Sequence, residues 1–227
     1  MKITAMILAG GSGTRIGGDI PKQFLEVGGK PILAYTMERF QRHPAIDSMV
    51  VVCVDGWENK VWEIAHAYGI GKLTVVVPGG SSALASIKKG AEAIACGDDD
   101  MVIVHDGVRP LVDDASIDAV IADCRQYGGA ISAVPLIEHV VYVGDERTDV
   151  HYIPRENAFR TITPQAYLYG RMMHAFRLSE QTGKGAGSAF IGTLMMDLGE
   201  KVVLSKGSEK NIKITEPKDL VYFETML

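Results

Sequence analysis

The sequence has few cysteines and no long apolar run. Its three cysteines, Cys53, Cys96 and Cys124, lie far apart and form no CxxC pair. We therefore expect buried thiols in a reducing compartment, and neither a disulfide framework nor a zinc site. No apolar run reaches the roughly 18 residues that a membrane-spanning helix needs, and the N-terminus runs into a strand without a signal-peptide pattern. These absences predict a cytoplasmic protein that does not act at a membrane.

The chain also lacks an excess of positive charge. The chain has 23 Lys and Arg against 28 Asp and Glu, a net charge of −5 and a pI of about 5.7. Because no basic stripe or cluster stands out, nucleic acid is not an expected partner. A small anionic substrate would have to be held by a few local cations.

Apolar residues, in contrast, are numerous enough for one sizeable core. They make up 47% of the 227 residues, and this length suits a single α/β domain spanning residues 1–227. Short apolar runs bounded by turn residues are typical of strands buried on both faces; they are Ile3–Leu8, Met49–Val54, Leu73–Val77, Met101–Val104 and Ala130–Val134. Amphipathic patterns predict helices between them, at Pro31–Gln41, Glu58–Tyr68, Ser82–Ala95 and Asp114–Tyr127. This alternation predicts a mostly parallel sheet with helices on both faces.

Residues 136–160 interrupt the alternation. Val140–Val143 and Val150–Ile153 flank the polar stretch Gly144–Asp149, which predicts a β-hairpin that projects from the domain as an arm. After this arm we expect helices at Tyr169–Gln181, Ser188–Leu198 and Pro217–Met226, and strands at Lys201–Leu204 and Asn211–Ile214.

A glycine-rich turn follows the first strand. Glycines at the carboxyl end of a strand let the backbone turn tightly and approach a phosphate, and free N–H groups there line an anion site. Backbone N–H groups alone are too weak to hold a nucleoside triphosphate, so we expect Arg15 and Lys22 to supply full charges. The predicted loop consists of Leu8, Ala9, Gly10, Gly11, Ser12 and Gly13.

Two familiar glycine motifs are absent from this loop. A dinucleotide fingerprint requires GxGxxG, and counted from Gly11 its third glycine position is occupied by Ile16, with Gly17 one residue late. The P-loop pattern GxxxxGK[ST] is missing as well. An NAD-dependent dehydrogenase is therefore only a distant alternative.

An acidic residue ends one of the central predicted strands. Asp106 lies in the segment VHDGVRP, residues 104–110. Because ligands of open α/β sheets bind at the carboxyl edge of the strands, Asp106 is a candidate Mg²⁺ ligand, directly or through water. We interpret His105 as a structural hydrogen-bonding residue, since no other His or carboxylate lies at metal-binding spacing from it.

The segments LAGGSGTR, PKQFLEVGGKPIL and VHDGVRP together resemble the cytidylyltransferase family that includes 2-C-methyl-D-erythritol 4-phosphate and ribitol-5-phosphate cytidylyltransferases. The resemblance recurs along nearly the whole chain. It implies a Rossmann-like nucleotidyltransferase fold, CTP as substrate, Mg²⁺ as cofactor, a small phosphorylated polyol as acceptor and pyrophosphate as product. It also implies a homodimer in which the arm reaches the neighbour's site.

The same resemblance assigns roles to individual residues on the nucleotide side. Arg15 and Lys22 match the residues that contact the triphosphate and the reacting phosphorus. The residues that match the family's nucleotide-binding motifs, including its cytosine-binding loop, are Gly79, Gly80, Ser81, Ser86, Arg109 and Thr163.

On the acceptor side, two cations match the family's pattern. Arg155 lies eight residues before Thr163, where the family keeps an arginine for the substrate phosphate, and the resemblance allows it to act on the partner's site. Lys213 lies in NIKIT, residues 211–215, which is similar to a motif whose lysine faces the reacting phosphates.

Three segments depart from the family's pattern, and all three bear on specificity. Ser82–Leu84 replaces an acidic residue and an arginine, Glu138-His139 replaces Asp-Thr, and the segment around Gly187–Ala189 lacks the usual acidic residue. We therefore expect the acceptor pocket to differ from that of many relatives.

The sequence thus predicts an enzyme that transfers CMP from CTP to an acceptor like ribitol 5-phosphate. Two alternatives stay open. The acceptor in the first is 2-C-methyl-D-erythritol 4-phosphate, with identical chemistry. The second is a non-catalytic nucleotide-binding protein, against which the retained cations Arg15, Lys22, Arg155 and Lys213 argue.

Overall fold

The computed structural model describes residues 1–11 and 20–227. Its strands are β1 (Ile3–Ala9), β2 (Glu26–Val27), β3 (Lys30–Pro31), β4 (Ser48–Cys53), β5 (Leu73–Pro78), β6 (Met101–Asp106), β7 (Gly129–Pro135), β8 (Val140–Val143), β9 (Val150–Ile153), β10 (Phe159–Leu168) and β11 (Val203–Lys206). Its helices are α1 (Ile32–Arg42), α2 (Glu58–Ala67), α3 (Ala83–Glu92), α4 (Asp114–Tyr127), α5 (Tyr169–Thr182), α6 (Ile191–Asp197) and α7 (Pro217–Glu224).

The main sheet has seven strands in the order β11-β7-β10-β6-β1-β4-β5. β1 pairs in parallel with β4 and β6, β4 with β5, and β7 with β11. Only β10 among these seven strands runs antiparallel, between β6 and β7. The carboxyl ends of β1, β4 and β6 therefore lie at one edge of the sheet, as the alternating sequence pattern predicts.

Helices cover both faces of the sheet because consecutive strand residues point to opposite sides. Ile7 of β1 packs in one buried cluster with side chains of α1, α2 and α4. Its neighbour Met6 packs in a second cluster, with side chains of α3, α5 and α6. The central strands are apolar on both faces for this reason, and the predicted α/β class is confirmed.

Most predicted elements are confirmed, but two are wrong in detail. Residues Asn211–Ile214 form no strand, although the Ile214 N–H donates to the Val108 carbonyl at 2.9 Å. The helix expected at Ser188–Leu198 begins only at Ile191, because Phe190 has extended backbone angles and caps it.

The sequence patterns also miss one strand of the main sheet, β10. Pro164 lies in its middle, and proline argues against a central strand because it cannot donate to the ladder. The pairing of β10 with β7 shifts register between Thr161 and Gln165, and Pro164 lies within this irregularity.

The predicted arm forms a separate two-stranded antiparallel sheet from β8 and β9, with the bounds expected from the sequence. Its apolar side chains Val141, Tyr142 and Tyr152 are more than half exposed. No helix of the described residues combines the length and apolar character that crossing a bilayer demands.

Close packing of α3 against the sheet depends on a glycine. A Cβ atom built on Gly90 lies 2.7 Å from Val52 Cγ2 and 2.9 Å from Met6 Sδ, closer than real contacts. Any side chain at this position would push α3 away from β1 and β4. Since α3 follows the loop at Gly79 and Gly80, its position also sets the position of that loop.

We expect Gly90→Ala to lower the free energy of unfolding by about 1–2 kcal/mol, because overpacking outweighs the gain in helix propensity. Chemical denaturation measures the change. Gly71→Ala is the matched control, since a Cβ there meets nothing within 4 Å, and it should change stability by less than about 0.5 kcal/mol. Equal effects of the two substitutions would contradict this account of α3 packing.

Candidate active site

A cavity of about 400 Å³ opens at the carboxyl edge of β1 and β6. Glycine backbone forms one part of its wall, and charged side chains form another. It is lined by Leu8, Ala9, Gly10, Gly11, Lys22, Gln23, Gly80, Ser81, Ser82, Ala83, Ser86, Asp106, Val108, Phe190 and Lys213. This position is where ligands of open α/β sheets bind.

The glycine loop after β1 is held by a glutamine. Gln23 is 1% exposed, and its Nε2 donates to the Ala9 carbonyl at 2.5 Å and to the Gly11 carbonyl at 3.1 Å. Gln23 was not among the expected site residues, although it lies within the PKQF segment. Its bonds fix the first residues of the loop next to Lys22.

A second backbone loop lines the cavity next to the first one, with Gly79 in contact range of Gly10. Ser86 Oγ accepts a hydrogen bond from the Gly80 N–H at 2.9 Å and donates one to the Ser82 carbonyl at 2.9 Å. The Gly79 N–H donates to the Cys53 carbonyl at 2.7 Å. Ser86 therefore fixes the conformation of this loop through its hydroxyl group. The backbone of Gly80 and Ser81 lies at the cavity wall.

Asp106 forms ion pairs with two cations at the cavity. Its Oδ2 accepts from Arg109 Nε at 2.8 Å, and its Oδ1 accepts from Lys213 Nζ at 3.0 Å. Burial alone would raise the pKa of this carboxyl group, but the charges of Lys213 and Arg109 outweigh burial and hold the pKa below its ordinary value of 3.8. Asp106 is therefore a carboxylate at neutral pH and orients two cations.

The hydrogen bonds of Asp106 and Arg109 join strand ends that are distant in sequence. The Asp106 N–H donates to Thr163 Oγ1 at 3.1 Å, and Asn211 Nδ2 donates to the Thr163 carbonyl at 2.7 Å. Arg109 also donates to the Asn211 carbonyl at 2.7 Å. Thr163 and Arg109 thus lie behind the cavity wall and hold the segment that carries Lys213.

Lys22 also contacts the segment that carries Lys213. Its Nζ donates to the Ile214 carbonyl at 3.1 Å. Lys22 and Lys213 are therefore both cavity-lining cations, brought together although they lie far apart in the sequence.

His105 is fully buried behind Asp106. Its Nε2 lies 3.1 Å from the Arg109 carbonyl, to which it donates, and its ring packs against Phe40. Burial lowers the pKa of His105 to about 4, so the ring is neutral at physiological pH. Its place in the structure is that of a hydrogen-bond donor to the backbone.

The structure brings most of the expected site residues to the cavity. Gly79 lies beside the lining residues, in contact range of Gly10. Arg155 is exposed at the base of the arm and is absent from the cavity lining. Ser12, Gly13 and Arg15 lie outside the described residues. Val108 and Phe190 line the cavity but were not expected, because an apolar side chain gives no sequence signal of a binding site.

In the part of the chain that the structure describes, Asp106 has no companion ligands for a metal ion held by the protein alone. Both oxygens of Asp106 already accept hydrogen bonds from cations. Residues 1–11 and 20–227 contain no group of three His, Cys, Asp or Glu side chains that could hold a metal ion. Asp106 is thus arranged as a counter-ion for Lys213 and Arg109.

The fold and the site define an α/β protein with a glycine-lined, lysine-bearing cavity suited to a phosphorylated ligand. The sequence model of the 2-C-methyl-D-erythritol 4-phosphate cytidylyltransferase family matches residues 3–227, and the chain belongs to this family.

Relatives with two different names are similar to the chain over nearly its full length. A ribitol-5-phosphate cytidylyltransferase of Lacticaseibacillus paracasei is 42% identical over 99% of this chain and 97% of that protein. A 2-C-methyl-D-erythritol 4-phosphate cytidylyltransferase of Syntrophotalea carbinolica is 35% identical over 100% of this chain and 97% of that protein.

Solved structures share the fold. The 2-C-methyl-D-erythritol 4-phosphate cytidylyltransferase of Francisella tularensis superposes with a TM-score of 0.79 at 28% identity and covers 100% of both chains. The 4-diphosphocytidyl-2C-methyl-D-erythritol synthase of Anaerococcus prevotii gives a TM-score of 0.87 at 23% identity, covering 99% of this chain and 95% of that one. The predicted nucleotidyltransferase fold is confirmed.

We expect Asp106→Asn to lower the free energy of unfolding at pH 7 by about 3 kcal/mol, because it leaves two cations without their buried counter-ion. The folded-state pKa of Asp106 lies below 3.8, so the carboxylate contributes stability above that pH and loses it as the pH falls through the folded pKa. The difference between wild type and variant should therefore shrink below about pH 4.

Denaturant titrations at pH 7 and in the acid range measure this difference. Asp55→Asn, at an exposed position outside the cavity, is the matched control. A difference that is small at pH 7, or that grows in acid, would contradict the role of Asp106 as counter-ion.

Proposed function

We propose that the chain transfers CMP from CTP to ribitol 5-phosphate and releases pyrophosphate. The observation that carries this proposal is the cavity itself, where Lys22 and Lys213 face glycine-rich backbone in a chain of the cytidylyltransferase family. The relative at 42% identity, which is named for ribitol 5-phosphate, favours this acceptor.

The reaction needs charge and alignment more than it needs a base. A phosphate oxygen of the acceptor attacks the α-phosphorus of CTP, and the bond from that phosphorus to the oxygen bridging to the β-phosphorus breaks. Pyrophosphate leaves with that electron pair. Because the nucleophile is already an anion, the main barrier is to bring two anions together, and fixed cations lower it. His105 is buried and does not line the cavity, which is consistent with a mechanism without general-base catalysis by this residue.

Each cavity cation has a proposed role in that step. Lys22, with Arg15, neutralises the triphosphate and the charge that develops at the α-phosphorus. Lys213 holds the acceptor phosphate, and Asp106 fixes its ammonium group at 3.0 Å. The backbone of the loop at Gly80 and Ser81 reads the edge of the cytosine ring, because backbone N–H and C=O groups complement its donors and acceptors.

We propose that the divalent cation, Mg²⁺, arrives with CTP as a counter-ion of the phosphates. The ion pairs of Asp106 with Arg109 and Lys213 support this proposal. The lack of a metal-binding cluster in the described part of the chain supports it as well. When bound, Mg²⁺ would neutralise phosphate charge. The chain's own lysines and arginines supply the remaining positive charge.

The chain is further proposed to act as a homodimer through its arm. The exposed apolar side chains of β8 and β9 support a protein contact there. Arg155 lies at the base of the arm and outside the cavity of its own chain, so we propose that it serves the partner's acceptor site. The three free cysteines support a reducing, cytoplasmic location.

The second candidate acceptor is 2-C-methyl-D-erythritol 4-phosphate. It is favoured by the family model and by the relative at 35% identity. The cavity chemistry for CTP is the same in both cases. Only the contacts to the carbon chain of the acceptor differ.

We expect pyrophosphate release from CTP with ribitol 5-phosphate, and a lower kcat/KM with 2-C-methyl-D-erythritol 4-phosphate. Lys22→Ala should lower kcat by at least about 100-fold in the folded protein, because it removes transition-state charge stabilisation. A coupled pyrophosphate assay and circular dichroism measure the two properties. Lys60→Ala, at an exposed position of α2, is the control. Turnover of neither acceptor would refute the function, and near-normal kcat in Lys22→Ala would refute the role of Lys22.

Light scattering should show a dimer, and two inactive variants should complement each other. In a mixture of Lys22→Ala and Arg155→Ala chains, a heterodimer keeps one intact site if Arg155 acts in trans, so activity should recover to about a quarter of wild type. A mixture of Lys22→Ala and Lys213→Ala should recover nothing, because both residues line the same cavity. A monomer, or no recovery in the first mixture, would contradict the proposed trans site.

A further inference from the structure

The cavity has a single aromatic side chain among its described lining residues, Phe190. Most other lining groups are glycine, alanine, serine or charged side chains. Phe190 immediately precedes α6, and its half-buried ring packs against the cluster formed by α3, α5 and α6. An apolar ring thus reaches from the core into a cavity otherwise suited to phosphates.

The backbone of Phe190 is fixed at both of its hydrogen-bonding groups. Its N–H donates to Thr193 Oγ1 at 3.1 Å, and its carbonyl accepts from the same hydroxyl at 2.7 Å. The following residues Ile191 and Leu194 are fully buried and anchor α6 to the sheet. The backbone that carries the ring is therefore held by α6, so the position of Phe190 at the cavity wall depends on the packing of this helix.

Phe190 also borders the cation assigned to the acceptor phosphate. Lys213 Nζ lies 5.7 Å from the centroid of the ring, a favourable cation–π distance. The same Nζ donates to Asp106 Oδ1 at 3.0 Å. An anion bound at Lys213 would therefore have a carboxylate and an aromatic ring as neighbours of its cation.

We propose that Phe190 is a specificity-determining residue for the acceptor, an inference that rests on the proposed function. With the acceptor phosphate on Lys213, the carbon chain next to that phosphate packs on the ring. This contact is apolar, so it favours carbon and disfavours a charged group at that position. The ring selects the acceptor and leaves the CTP contacts unchanged, because the glycine loops and Lys22 supply those.

The test separates the two substrates by steady-state kinetics. In Phe190→Ala, kcat/KM for ribitol 5-phosphate at saturating CTP should fall by about 10- to 200-fold, as expected for a lost apolar contact in a specificity pocket. KM for CTP at saturating acceptor should change by less than about twofold, because uniform nucleotide binding is untouched. Phe190→Leu should restore part of the loss.

Met196→Ala is the matched control, because it truncates an exposed apolar side chain of the same helix, α6. It should leave all kinetic parameters unchanged. Thermal unfolding checks that each variant is folded. If Phe190→Ala does not fold, Phe190→Leu decides alone, and it must raise KM for the acceptor without raising KM for CTP.

The remaining outcomes overturn the inference. A rise in KM for CTP with an unchanged acceptor KM would mean that the ring faces the nucleotide. Unchanged values for both substrates would mean that the ring only fills space. In either case wild-type turnover leaves the proposed function intact, whereas a wild type inactive with both acceptors would refute the function and this inference together.

Discussion

The ion pairs of Asp106 with Lys213 and Arg109 are the interaction on which the site depends. A carboxylate that is 7% exposed is stable only when charges and hydrogen bonds compensate its lost hydration. Here Arg109 and Lys213 compensate the carboxylate. Hydrogen bonds of Thr163 and Asn211 hold the segments that carry these cations, and Lys22 joins them through the Ile214 carbonyl. Compensation of one buried carboxylate thus brings together the cations that line the cavity, Lys22 and Lys213.

This arrangement suits a reaction between two anions. Lysines that are held in place before the substrates arrive need little reorganisation when charge develops, and such preorganisation is a large source of catalytic power. The glycine loop held by Gln23 and the loop shaped by Ser86 complete the lining of the cavity. We propose that this cavity holds the nucleotide through backbone groups, the phosphates through cations and the carbon chain of the acceptor through one apolar ring, Phe190.

The sequence predicts the fold well where local patterns decide it. The apolar runs of β1, β4 and β6 and the hairpin of β8 and β9 follow from hydrophobicity and turn residues. The antiparallel β10 escapes prediction, because Pro164 and polar residues mask a strand whose place is set by pairing with β6 and β7. Motif resemblance names Lys22 and Lys213, but not the Asp106–Lys213 pair or Phe190, since long-range contacts leave no local pattern.

A double-mutant cycle tests the central claim most directly, namely that Asp106 orients Lys213 for the acceptor phosphate. The cycle compares kcat/KM for ribitol 5-phosphate in wild type, Asp106→Asn, Lys213→Met and the double variant. If the two residues act as a unit, the double variant is hardly worse than either single one, and the coupling energy exceeds about 1 kcal/mol. Additive losses would contradict the account, because Lys213 would then act without Asp106.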